Sequence, residues 1–123
     1  MSESRSKYAL YSFLDDLADS LKTWQHLVKD ADGKDVPPLA FAYMSQAYAN
    51  ARALHVIRAL ADNATIRNDK DMDDDVEQVF TDFLRLNKSF LQDCADGASL
   101  KETKMSCVDL LEKLDKLNVQ LKP

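Results

Sequence analysis

Apolar residues recur along much of this chain at alternating steps of four and three, with polar residues between them. Leu10, Leu14, Leu17, Leu21, Trp24 and Val28 follow that rhythm without a break. Such spacing draws one narrow stripe down a helix, the seam expected where helices pack nearly parallel or antiparallel. Phe13 and Leu27 widen the stripe on one side, and Asp15, Asp16, Asp19 and Lys22 lie away from it. The pattern predicts a first helix over residues 4–30.

The rhythm returns in Met72, Val76, Val79, Phe83, Leu86 and Phe90, with Phe80, Leu84 and Leu91 beside it, and predicts a third helix over 69–95. Gly97 is placed to end it as a C′ glycine. A fourth helix is predicted over 99–121, its seam Leu100, Cys107, Leu111, Leu114 and Leu121, flanked by Val108, Leu110 and Leu117. Ser99 and Glu102 have the spacing of a capping box. Lys104 and Asn118 interrupt this seam and suggest a frayed or partly exposed last helix.

The second helix is predicted over 37–63, an alanine-rich stretch that is apolar round more than half of a helical wheel and is expected to be the most enclosed. Pro37 and Pro38 suit its first turn, and Asp35 suits its N-cap. Gly33 is placed for a positive φ just past the first helix. The main stripe is expected at Leu39, Tyr43, Ala47, Leu54, Ile57 and Ala61, extended by Ala42, Ala49, Ala53, Val56 and Leu60. The remaining arc holds Phe41, Ser45, Tyr48, Arg52, His55, Arg58 and Asp62.

Four helices joined by short loops imply antiparallel neighbours. The expected fold is therefore one all-α domain over 1–123, an up-down-up-down antiparallel four-helix bundle. Composition agrees: with Gly at two positions and Pro at three, the chain lacks the turn every ~8–12 residues that a sheet needs.

Charge and sequence windows narrow the partners. A net charge of −5 opposes approach to phosphate, so no nucleic acid is expected. No window approaches the ~20 apolar residues of a membrane span, so no membrane is expected. Asp15 and Asp16 interrupt the N-terminal apolar stretch too soon for an export signal. With only Cys94 and Cys107, a reducing cytoplasm is the expected compartment.

Candidate chemistry is thin. Asp69, Asp71 and Asp73 imitate the start of a calcium loop, but Asp74 and Phe80 stand where it needs glycine and glutamate. Carboxylates there complement the helix dipole instead. His26 and His55, the only histidines, follow Thr23 and Arg52 by three residues, so the Glu-x-x-His pair of a bundle metal site is missing. Cys94 and Cys107 fall about 9 Å out of step along the bundle, too far for a disulfide, and Cys107 fits a small core residue. Two glycines cannot build a phosphate-cradling loop. No catalytic, metal or cofactor site is expected. Asn50 and Asn87 fall within apolar arcs, where polar residues fix helix register.

Binding remains. Phe41, Tyr48, Arg52, His55 and Arg58 lie on one arc of the second helix, and aromatic and arginine side chains are enriched at interface hot spots. The expected function is non-enzymatic: binding another protein by accepting its amphipathic helix in a groove. In length, helix count and charge the chain resembles small acidic secretion or flagellar export chaperones, which use such bundles to hold a client's helices. An immunity protein or inhibitor that blocks a toxin or enzyme, and a homodimeric assembly subunit, are the alternatives. An enzyme or small-ligand carrier ranks last.

Overall fold

A computed structural model of the chain describes the backbone of residues 2–60 and 70–121, and side-chain environments within 8–58 and 74–121. Expectations for Ala61, Asp62, the loop 64–68, Met72 and the side chains of the acidic run before Asp74 lie outside the described residues. The helices are α1 (Ser2–Leu27), α2 (Pro38–Leu60), α3 (Lys70–Asp96) and α4 (Lys101–Leu121). Helix α1 packs on α2 and α4, and α3 packs on α2 and α4. Each helix thus meets its sequence neighbours and the last closes on the first, giving the expected up-down-up-down antiparallel four-helix bundle.

The two strongest periodicities in the sequence become core. Every seam residue of α1 from Leu10 to Trp24 is buried, as is Val28 just beyond it, and Val76, Val79, Phe83, Leu86 and Phe90 of α3 are buried likewise. Trp24 is fully enclosed and meets the Phe90 ring nearly edge-on at 5.2 Å.

Helix α2 departs from its expected stripe. Its buried positions are Ala40, Met44, Ala47, Ala51 and Leu54, a four-three seam of its own, whereas Leu39 is 55% exposed and Val56 is exposed too. Alanines at Ala42 and Ala49 face outward. The physical reason is low contrast: with small apolar residues on every side, the helix has no strongly preferred face, and its neighbours choose one. Among the described residues α1, not α2, is the most enclosed helix, because it buries Ala18 and Ser20 besides its whole seam.

Helix α4 is also shifted. Leu110 and Leu117 are buried while Leu111 is only half-buried. The seam runs Leu100, Thr103, Cys107, Leu110, Leu114, Leu117 and Leu121, completed at Thr103, a polar residue that hydropathy does not count.

The loops correct three further expectations. Gly33 begins a 3-10 turn, Gly33–Asp35, and has no positive φ. It is needed for close approach: its N–H donates to the Ala98 carbonyl at 2.7 Å, and a β-carbon there would overlap the Asp93 carbonyl. Asp35 does not cap α2; its carboxylate accepts the Asp32 N–H at 2.7 Å and closes this turn. Ser99 accepts from the Lys101 N–H at 3.2 Å rather than from that of Glu102. Gly97 does behave as expected, with φ 62°. The Ala98 N–H donates to Asp93 at 2.9 Å and the Gly97 N–H to Cys94 at 3.3 Å, the paired bonds of a Schellman ending.

Lys104 is no sign of fraying. Its ammonium donates to the Lys29 carbonyl at 3.2 Å and the Ala31 carbonyl at 3.0 Å, just past the end of α1. A cation at that end satisfies orphan carbonyls and complements the helix dipole. Asn50 finds a partner in Ser20 across α1 and α2, its amide donating at 3.5 Å.

Candidate functional site

The side of α2 that faces α3 is built on a repeat of seven. Phe41, Tyr48 and His55 stand two turns apart and therefore share one line along the helix. Phenylalanines of α3 answer each in antiparallel order. Phe41 meets Phe90 with ring centroids 5.2 Å apart, and Tyr48 meets Phe83 at 6.2 Å. His55 stacks on Phe80 at 4.3 Å with the planes 13° apart. Offset or tilted aromatic contacts of this kind add to simple burial.

One turn further on, Arg58 Nη1 lies 2.8 Å from Glu77 Oε2, and His55 Nδ1 lies 3.8 Å from the same oxygen. The line thus ends in a charged cluster that ties α2 to α3. Of the five arc residues, Phe41, Tyr48, His55 and Arg58 come together along α3. Arg52 lies farther out, exposed and without an ion pair among the described residues.

The rings are not sealed. Phe41 is 40% and Tyr48 37% exposed. On the opposite wall Phe80, Leu84, Asn87 and Leu91 recur at steps of four, three and four, so they share the side of α3 that Phe80 turns to His55. Leu84 is 37% and Leu91 48% exposed. Phe41 and Tyr48 on one wall and Leu84 and Leu91 on the other therefore edge a shallow apolar groove. The arc on α2 is visible in the sequence; its second wall forms only where α3 lies along α2, although Leu84 and Leu91 stand beside the α3 seam.

No family model, no curated protein and no solved structure matches this chain. Its surface chemistry is what remains to assign a role.

Other clusters have local structural explanations. On the α3–α4 side, the Ser89 and Thr103 hydroxyls lie 2.7 Å apart, and Thr103 donates to Asp93 at 2.6 Å. Thr103 is fully buried, and this chain satisfies it. Nearby Asp82 accepts from Lys113 and from Gln78. Burial opposes its ionisation, but those hydrogen bonds and the Lys113 charge outweigh it and hold the carboxyl below its ordinary range. Cys94 and Cys107 are both free thiols. Burial pushes Cys107 up to about 12, so at neutral pH it is a protonated core side chain. Burial, then the charge of Asp93, raises Cys94. Asp15, Asp16 and Asp19 bring carboxylate oxygens within 4.8 Å of one another on α1, two of the three exposed. Among the described residues no helix is long and apolar enough to cross a membrane.

Proposed function

We propose that this chain is a non-enzymatic, cytoplasmic helical-bundle protein of the export-chaperone or adaptor type. It binds another protein by seating one of its helices in the groove between α2 and α3. The observation that carries the reading is the exposure of Phe41, Tyr48, Leu84 and Leu91 along one groove. Each already touches the bundle, yet each keeps more than a third of its surface for another apolar body. Clustered aromatic and leucine surface of this kind marks interaction sites, and an amphipathic helix is the element that fills a groove between two helices.

Two further observations support the rest of the proposal. The buried Cys107 thiol is inert as a nucleophile, and unpaired cysteines suit a reducing compartment.

The test is a photo-crosslinking amino acid placed at Tyr48, at Leu91, or at Lys22 on the far side of α1, in the protein expressed in its own host. Adducts from positions 48 and 91 and none from 22 are expected, and Leu84→Ser with Leu91→Ser should abolish them without changing the circular dichroism. Adducts from 22 alone would reject the groove. Adducts consisting of a second copy of this chain would replace the client by a homodimer.

A further inference from the structure

We infer that the segment held by this groove is an acidic amphipathic helix, its carboxylates meeting Arg52 on one rim and Lys88 on the other. This rests on the groove being a binding site and adds the chemistry of its occupant.

Charge on the protein is unevenly spread. The chain carries 21 carboxylate residues, yet α2 from Pro38 to Leu60 contains none. Arg52 stands one turn beyond Tyr48 on α2, and Lys88 stands one turn beyond Leu84 on α3, so each wall pairs an exposed apolar residue with a cation. Both are exposed, and neither is ion-paired among the described residues. The carboxylates of α3 level with the groove are turned away from it: Asp82 is held by Lys113 and Asp93 by Thr103, both on α4. Glu77 lies on the groove side but is neutralised by Arg58. The groove is therefore a neutral-to-positive strip on a protein of net charge −5.

That pattern selects an occupant. From Phe41 to Arg52 the floor runs about 16 Å, the length of three helical turns. A helix with apolar residues at i, i+3 and i+7 meets the four exposed side chains, and acidic residues on its two flanks reach the rims. A helix with basic flanks sets like charge against Arg52 and Lys88, which costs affinity and slows association. A second copy laid face to face on the same groove would add two further cations to the strip rather than the carboxylates that Arg52 and Lys88 lack.

The probe is a synthetic helical peptide of about four turns, with leucines at that spacing and glutamates on both flanks, and a twin with lysine for every glutamate. Amide NMR spectra of the whole protein follow each titration. The glutamate peptide should shift amides of residues 41–55 and 80–91 and bind at least about tenfold tighter than the lysine peptide. Arg52→Glu with Lys88→Glu should remove that preference, and added salt should weaken it. Equal or tighter binding of the lysine peptide at the same amides would overturn the acidic occupant and leave the groove standing. If neither peptide moves those amides, both the occupant and the groove reading fail. Concentration-dependent shifts of the protein alone at those amides would give the groove to a second copy and overturn the inference.

Discussion

The Gly33 N–H donates to the Ala98 carbonyl at 2.7 Å, so main chain joins the loop after α1 to the loop after α3. Lys104 reinforces the same end of the bundle by capping the carbonyls of Lys29 and Ala31. The groove between α2 and α3 thus rests on helices whose spacing at one end is fixed by backbone contact and by the Lys104 ammonium.

Gly33→Ala should destabilise the fold by about 3 kcal/mol, because the new methyl overlaps the Asp93 carbonyl and the backbone must move. Gly97→Ala has room but is forced into the left-handed region, and should cost about 1–2 kcal/mol. Urea denaturation read at the transition midpoint compares the two. A smaller loss at Gly33 than at Gly97 would mean the loops are not in contact.

Lys104→Met keeps the half-buried stem and removes the ammonium that two carbonyls accept from. A loss of about 1–2 kcal/mol is expected. Hydrogen exchange should quicken at the last turn of α1, and no change there would show that water replaces the lysine without penalty.

Phe83→Ala removes a fully buried ring from the α3 seam and should cost ~3–5 kcal/mol. Tyr48→Ala with Arg52→Ala, on the groove wall, should stay within ~1 kcal/mol. Thermal unfolding of the two variants separates core from surface. Should the pair prove as costly as Phe83, the aromatic line on α2 would be structural and unavailable to a partner.

Asp82 gives the bundle a dependence on acid. Its folded carboxyl titrates below the ordinary value, so its stabilisation is complete above the usual carboxylate pKa of about 4 and fades as pH falls through the lower folded value. Lys113 is half-exposed, which limits the effect to below about 1 kcal/mol. Asp82→Asn should be less stable at neutral pH and lose less on acidification. Parallel acid limbs for both proteins would remove Asp82 from the account.

How far the sequence reached depends on contrast. In α1 and α3 large apolar residues at steps of four and three stand among charges, and only one face of each helix can be buried. The four-helix bundle follows from that periodicity and from the scarcity of turn residues, and Gly97 ends α3 for a purely local reason. Phe41, Tyr48, His55 and Arg58 are likewise one face of one helix, visible before any packing is known.

Tertiary structure decided the rest. Alanine is small enough to face either core or water, so neighbours set the stripe of α2 at Ala40, Met44, Ala47, Ala51 and Leu54. Thr103 enters the α4 seam because its hydroxyl donates to Asp93 and accepts from Ser89. Gly33 is glycine because another loop passes within touching distance, and Lys104 sits on an apolar face because α1 ends beside it. The second wall of the groove, Leu84 and Leu91, exists only once α3 is laid along α2. Periodicity belongs to a single helix, whereas caps, close approaches and grooves are properties of two.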